Sequence, residues 1–268
     1  MIELCFNTMN RSPFLLGSED PRLDEQIIAA ANAGFTLFGP DYYTISSYLK
    51  SNGSIDKLAA NIQEAGMHCF ELPALQVDNV SQVRRDSSEI LDVAKVLKPE
   101  YLQININCKL NRSLLVELRN IADMYRQYEI KLAVEYLPWL PQIKSIKDSR
   151  AFLQEIAHPS FAIVVDTWHF THSTDSWEDL YSLPLEQVAY IQFDDHPRML
   201  GTDLIVETVQ RRVMPGQGCF ELDRFCKLFR DKGYEGPVSC EVLSDQYRDI
   251  DLGVFADQLY TTSRRYWA

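Results

Sequence analysis

Short apolar runs alternate with longer segments of helical periodicity along this chain. The short runs are rich in β-branched and aromatic residues, as strands are, and we predict eight strands at residues 3–7, 36–38, 67–72, 101–105, 131–136, 161–166, 188–193 and 238–242. The intervening segments, such as LDEQIIAAANAG and SLLVELRNIADMYRQY, place apolar residues three and four positions apart, which is typical of amphipathic helices. This alternation predicts parallel βα units.

Glycines divide the predicted helices from the strands that follow them. Gly34, Gly66 and Gly233 each stand just before a strand, where helices commonly end. A last helical pattern at about residues 251–266 follows the eighth strand. We therefore predict an α/β fold, a single (β/α)8 TIM barrel that forms one domain over residues 1–268. Residues 194–220 are the longest stretch without clear strand or helix character, and active sites in such barrels lie on the loops after the strands.

Composition and charge exclude two classes of partner. The chain of 268 residues has 26 Lys and Arg against 38 Asp and Glu, a formal net charge of -12, which repels a nucleic-acid backbone. No window approaches the run of about 20 apolar residues that a membrane span needs, and MIELCFNTMN does not resemble a signal peptide. We expect a cytoplasmic protein that binds neither nucleic acid nor a membrane.

Polar residues stand at the ends of the last four predicted strands. These strand-end residues are Glu135 in LAVEY, Asp166 in IVVDT, Gln192 in AYIQF and Glu241 in VSCEV. A carboxylate in an apolar strand is costly unless something compensates it, and neighbouring strands of a barrel bring their ends together. We predict one divalent metal per chain, Mn²⁺ or Mg²⁺ with Co²⁺ or Zn²⁺ as alternatives, held by these oxygen ligands. For any single acid the alternative is a structural salt bridge, and for Gln192 a bond to neighbouring backbone.

Five motifs in the second half of the chain resemble one family. They are VEYLPW at 134–139, VVDTWHF at 164–170, YIQFDD at 190–195, RRVMPGQG at 211–218 and GYEGPVSCEV at 233–242. Together they resemble the xylose isomerase-like TIM barrels, the sugar phosphate isomerase/epimerase group, over nearly the whole length. The resemblance implies that the four strand-end residues hold the metal and that His169 and Arg212 meet the substrate.

One position departs from the family pattern. Most members carry His where this chain has Gln192. Glutamine there, the R-x-x-P-G-Q-G turn and the G-Y-x-G-P segment are similar to bacterial 3-dehydroshikimate dehydratases. Apurinic endonucleases of the same superfamily share the Glu and D-x-x-H motifs, but they use extra histidines that QININC and RRVM lack here.

The resemblance and the predicted ligands imply an enzyme. We expect a metal-dependent isomerase or epimerase that acts on a small keto-sugar or cyclitol by proton abstraction next to a carbonyl, through a metal-stabilised enediolate. Glu135 and Glu241 would exchange the proton. The alternative is a dehydratase of 3-dehydroshikimate or an inosose, in which His169 is the base. In both, Arg212 would hold the substrate through its planar donors, and Trp139 would form an apolar wall.

Other interpretations of these residues stay open. Arg212 could be a loop arginine paired with Glu207 or Asp194, His169 a structural histidine, and Trp139 core filler between strands and helices. A second alternative for the whole chain is a non-catalytic or partner-dependent barrel. The expected ligand is a small polyhydroxylated molecule, and homo-oligomers are common among barrels that resemble this one.

Overall fold

The structure, a computed structural model, describes residues 1–12, 22–51 and 53–268. This part of the chain forms a nearly closed barrel of parallel strands surrounded by helices, which confirms the predicted fold. The strands are β1 (Leu4–Asn7), β2 (Leu37–Gly39), β3 (His68–Cys69), β4 (Glu71–Val77), β5 (Tyr101–Ile106), β6 (Lys131–Glu135), β7 (Phe161–Asp166), β8 (Val188–Phe193) and β9 (Val238–Cys240).

Nine strands stand in the described part where eight were predicted, because the third strand is divided in two. β3 pairs with β2, and β4 pairs with β5. Phe70 lies between the two pieces and bonds to both sides. Its N–H donates to the carbonyl of Phe38 at 2.9 Å, and its carbonyl accepts from the N–H groups of Glu100 and Tyr101 at 2.9 and 3.2 Å. One residue therefore links the two ends of the sheet.

The helices follow the predicted pattern with one correction. They are α1 (Leu23–Ala33), α2 (Tyr42–Lys50), α3 (Ile55–Glu64), α4 (Val80–Leu97), α5 (Arg112–Arg126), α6 (Ile146–Ile156), α7 (Thr167–His172), α8 (Trp177–Ser182), α9 (Leu204–Gln210), α10 (Leu222–Asp231) and α11 (Leu252–Arg264). The prediction of no helix in 194–220 was wrong for α9. Asp203 caps this helix by accepting the N–H groups of Ile205 and Val206, and seven residues are too short to show a clear period.

The strands alternate between a helix-facing surface and the interior of the barrel. An inner apolar cluster contains Ala133 of β6 and Val164 of β7. Because side chains two residues apart share one face of a strand, Glu135 and Asp166 point to the same interior, one step nearer the carboxyl ends. The alternation of side chains along each strand thus places Glu135 and Asp166 directly above the inner apolar cluster. Among the described residues, no helix is both long and apolar enough to span a bilayer.

Candidate active site

Three of the predicted site residues converge at the carboxyl ends of β6 and β7. Glu135, Asp166 and His169 are buried, and each offers one ligand atom within 4.8 Å of the others. The local cause is a helix cap: the Oδ1 atom of Asp166 accepts the backbone N–H of His169 at 2.7 Å, which starts α7. The D-x-x-H spacing therefore turns the imidazole back toward the strand end.

Two amides fix the carboxylate of Glu135. Its Oε2 atom accepts from the side-chain amides of Gln103 and Asn105 at 2.6 and 2.7 Å, and its Oε1 atom lies 3.3 Å from Nε2 of His169. Sequence reasoning missed both amides. The signal was the alternation of polar and apolar residues in LQININ, which places Gln103 and Asn105 on one face of β5.

Glu241 and Gln192 complete the set of predicted ligands on the other side of the site. Glu241 follows β9, and its Oε1 atom accepts from the amides of Asn7 and Gln192 at 3.2 and 3.3 Å. The Oε1 atom of Gln192 is buried and has no hydrogen-bond partner in the described structure. Burial raises the pKa of Glu241 well above its usual range; Arg212 opposes this shift, and the carboxylates of Glu135 and Asp166 add to it.

Arg212 lies among three carboxylates rather than at the open face of the site. Its Nη1 atom is 2.6 Å from Asp194 Oδ2, 2.8 Å from Asp166 Oδ2 and 3.3 Å from Glu241 Oε2. The guanidinium is 1% exposed. Arg212 is therefore the buried counter-charge of this cluster, although it also borders the cavity described below.

The pKa values of two carboxyl groups that contact Arg212, those of Asp166 and Asp194, shift in opposite directions. Burial would raise the pKa of Asp166, but the charge of Arg212 lowers it. Burial raises the pKa of Asp194 well above its usual range despite Arg212. Of the two partners considered for Arg212 from the sequence, Asp194 is the one that it contacts, because Glu207 is paired with Arg211. Asp194 was not predicted as a site residue, although it directly follows β8.

A cavity of about 360 Å³ opens above these residues and is lined by Glu135, Trp139, His169, Arg212 and Glu241. The ring centroid of Trp139 lies 5.5 Å from that of His169, with the planes 72° apart. Trp139 therefore borders the cavity, as an apolar wall would. Tyr136 and Trp168, which are also aromatic and follow the same strands, are buried instead.

Glu71 is a further buried acid that sequence reasoning missed. It begins β4, and its Oε1 atom accepts from the hydroxyl of Ser239, from Asn7 Nδ2 at 3.3 Å and from Cys5 Sγ at 3.7 Å. Its Oε2 atom is buried without a partner. Burial raises the pKa of Glu71 to about 7. Asn7 connects this acid to the site, because its amide also donates to Glu241.

Comparison with known families agrees with this geometry. The family model described as xylose isomerase-like TIM barrel matches residues 27–266. The chain belongs to this family. The matched range contains all of the site residues predicted from the sequence, and the resemblance drawn from the motifs is confirmed.

Curated relatives of this xylose isomerase-like barrel have low identity. Inosose isomerase from Halalkalibacterium halodurans is 24% identical over 237 residues, which cover 79% of this chain and 81% of that protein. The 3-dehydroshikimate dehydratase from Pseudomonas aeruginosa is 26% identical over 132 residues, 49% of this chain and 21% of that protein. The matched part thus spans about a fifth of the dehydratase. An isomerase and a dehydratase are both similar to this chain.

Solved structures agree on the fold. The crystal structure of the IOLI protein with a bound zinc atom superposes with a TM-score of 0.84 and 20% identity, covering 99% of this chain and 98% of that one. At this identity the likeness shows the fold alone. In this chain, the cluster of Glu135, Asp166 and His169 offers three ligand atoms that could hold a metal ion.

Proposed function

We propose that this barrel is a divalent-metal-dependent isomerase or epimerase that moves a proton next to the carbonyl of a small polyhydroxylated ketone. The observation that carries the proposal is the convergence of Glu135, Asp166 and His169 within 4.8 Å, where Glu135 and His169 line a cavity of about 360 Å³. A cavity of this size fits a single sugar or cyclitol ring. We further propose that residues 1–268 act as one domain.

The residues present fit a divalent cation. Glu135, Asp166, Gln192 and Glu241 would hold it, since all four are buried and offer oxygen. The unpartnered Oε1 atom of Gln192 is a buried acceptor that a cation would satisfy. Mn²⁺ and Mg²⁺ suit this oxygen set, and Co²⁺ and Zn²⁺ are alternatives. When bound, the cation supplies Lewis-acid stabilisation of negative charge on a substrate oxygen.

The protein's own residues supply proton transfer and orientation. Gln103 and Asn105 hold Oε2 of Glu135, which leaves Oε1 beside His169. Glu241 borders the same cavity, so one carboxylate could remove a proton and the other return it. Arg212 fixes Asp166 and Glu241 relative to each other while keeping contact with the cavity.

Dehydration is a second candidate, and one observation favours it. His169 lines the cavity with Nε2 beside Glu135, and its Nδ1 atom is buried without a partner. An imidazole held in this way by a carboxylate can act as the base that removes a proton before a β-hydroxyl leaves. The similarity to 3-dehydroshikimate dehydratase from Pseudomonas aeruginosa supports this candidate.

The first test is metal uptake by the full chain. We expect about one Mn²⁺ per chain by elemental analysis and titration calorimetry, and a loss of affinity of tenfold or more in Glu135→Gln, Asp166→Asn and Glu241→Gln. Glu117→Gln is the matched control, because Glu117 is paired with Arg84 outside the site. A wild-type chain that takes up none of Mn²⁺, Mg²⁺, Co²⁺ or Zn²⁺ would contradict the proposal.

A proton-exchange experiment then separates the two reactions. In D₂O, an isomerase or epimerase incorporates deuterium at the carbon beside the carbonyl, whereas a dehydratase forms an alkene, and NMR distinguishes the two. Glu241→Gln should abolish deuterium incorporation if it is one of the exchanging acids. Unchanged incorporation in this variant would remove Glu241 from the reaction.

A further inference from the structure

Acidic side chains outnumber basic ones in and beside the cavity. Arg212 is the only Lys or Arg among the described residues that line it. Five carboxyl groups lie in or beside the site, those of Glu71, Glu135, Asp166, Asp194 and Glu241, and all are buried. Arg212 and a bound divalent cation would both face these protein carboxyl groups rather than stand free for an acidic ligand.

The guanidinium of Arg212 is already committed within the protein. Its Nη1 group faces Asp166, Asp194 and Glu241, and its Nε and Nη2 atoms donate to the Thr208 hydroxyl at 3.1 and 2.8 Å. A substrate carboxylate would have to displace one of these buried acids, and an unpaired buried charge is strongly unfavourable. Arg212 therefore does not provide a second, free anion site.

Other positive charges at this end of the barrel lie outside the cavity wall. Lys109 and Arg198 stand on loops after strands, but both are exposed and neither is among the described residues that line the cavity. Residues 13–21 and 52, outside the described part, contain no Lys or Arg in the sequence.

One wall of the cavity is built from neutral amides. Asn107 Nδ2 donates to Gln76 Oε1 at 2.9 Å, Gln76 Nε2 donates to Asn105 Oδ1 at 3.1 Å, and Asn105 Nδ2 donates to Glu135 at 2.7 Å. Asn107 also donates to the exposed Asp78 at 2.9 Å. We call Gln76, Asn105 and Asn107 the amide wall. Each primary amide has two N–H donors and an acceptor oxygen. These bonds use both N–H groups of Asn107 but one each of Gln76 and Asn105, so the wall can donate from Gln76 and Asn105 and accept at the Oδ1 atom of Asn107.

We propose that the substrate is an uncharged polyhydroxylated ketone, whose hydroxyls are recognised by the amide wall, and that the site rejects carboxylate and phosphate substrates. This inference rests on the proposed function and narrows its substrate class. Gln76 and Asn107 are the specificity-determining residues, because they are half-buried on the wall and lie outside the proposed ligand set. Among the described residues, the cavity wall offers an anion no positively charged side chain that is free of a protein partner, and the amides compensate the desolvation of hydroxyls.

The test compares neutral and acidic ring ketones on the Mn²⁺-loaded full chain. Calorimetry with an inosose, D-fructose and 3-dehydroshikimate should show at least one neutral ketone binding about tenfold or more tightly than the acid. Asn107→Ala should raise KM for the neutral substrate severalfold with little change in kcat, as expected when a hydroxyl contact is lost uniformly. Circular dichroism confirms that the variant is folded.

A charge-insertion variant provides the matched control. Gln76→Lys places a cation on the wall and should strengthen binding of 3-dehydroshikimate about tenfold, whereas Gln127→Lys adds the same charge at an exposed site beyond α5 and should not. Asn107→Lys repeats the test if Gln76→Lys does not fold.

Two results would overturn the inference. One is wild-type protein that binds the acid as tightly as the neutral ketones, and the other is binding by none of the neutral ketones. Both leave metal uptake intact, so they differ from failure of the proposed function, in which no metal binds. Loss of acid binding in Lys109→Ala would further identify the exposed lysine as the anion contact.

Discussion

At the scale of single residues, the ionisation of Glu71 should govern part of the pH dependence of stability. Its pKa rises from the usual 4.5 to about 7 because the carboxyl is buried. Folding therefore favours the protonated form, so stabilisation is complete below pH 4.5 and is lost as the pH rises to 7. Since one pKa unit is worth about 1.4 kcal/mol, the loss above pH 7 is on the order of 3 kcal/mol.

Glu71→Gln tests this prediction, because the amide keeps the shape and stays neutral. Denaturant unfolding at pH 5 and pH 8 should show that the unfolding free energy of the wild type falls by about 2.5 kcal/mol more than that of the variant between the two pH values. Glu89→Gln is the control, since Glu89 is exposed. If the difference in unfolding free energy between wild type and variant did not change with pH, the raised pKa of Glu71 would be contradicted.

Arg212 should contribute more to stability than any surface arginine. Arg212→Met leaves Asp166, Asp194 and Glu241 without their counter-charge, and breaking a buried pair in this way costs about 3–5 kcal/mol. Denaturant unfolding in EDTA measures the loss. Arg224→Met is the control, because its pair with Glu221 is exposed and such a pair contributes about 1 kcal/mol or less. Equal losses in the two variants would show that Arg212 does not compensate the buried acids.

Site residues were predictable where an acid interrupts an apolar strand. Glu135, Asp166 and Glu241 carry this signal in the sequence itself. Asp194 was missed because it follows a strand, where a polar residue is unremarkable until burial is known. Glu71 lies inside the predicted strand 67–72, and it was missed because it is far from the ends of the last four strands. The burial of Arg212 among acids also could not be predicted, since it depends on which loop folds inward.

At the scale of the elements, β2 and β4 approach each other closely beside Glu71. A Cβ atom added at Gly39 would lie 2.7 Å from Cγ and 2.8 Å from Oε1 of Glu71. Gly39 therefore leaves the space that the buried acid occupies. Gly39→Ala should destabilise the protein by about 1–3 kcal/mol through overpacking, as measured by thermal or denaturant unfolding.

A double-mutant cycle tests whether this contact is the cause. Glu71→Ala removes the clashing atoms, so Gly39→Ala should cost much less in a Glu71→Ala background, with a coupling free energy on the order of 1 kcal/mol or more. Gly66→Ala is a contrasting control, because no atom lies within 4 Å of the added Cβ and only its positive φ of 74° opposes the change. Additive effects at Gly39 and Glu71 would mean that the close approach is not the source of strain.

Long strands and helices with a regular hydrophobic pattern were predictable from the sequence, and short ones were not. The strands β5, β7 and β8 and the helices α1 and α5 match the sequence patterns closely. The division of the third strand was not predictable, because nothing in MHCFEL marks a break within residues 67–72. Hydrogen bonding by Phe70 to two different neighbours creates the break.

At the scale of the whole molecule, the barrel closes through elements far apart in sequence. β1 pairs with β9 in parallel, and α11 packs against both. Arg264 adds a bond from its Nη1 atom to the carbonyl of Ile2 at 2.6 Å. The fold was predictable because alternation of strands and helices leaves few topologies. The substrate was not, because the loops that shape the cavity have no periodic signal.

The junction at Phe70 also marks the place where the ladder of the barrel is interrupted. In the order of the sheet, β6 to β9 are interior strands paired on both edges, whereas β4 lies at the end and is joined to β2 by the backbone hydrogen bonds of Phe70. The strand ends with acids thus stand on the continuous ladder, while Gln76 of the amide wall lies on the margin. Gln76 reaches Glu135 only through Asn105 among the described hydrogen bonds, so a substitution at Gln76 alters the cavity wall at one side chain's remove from that carboxylate.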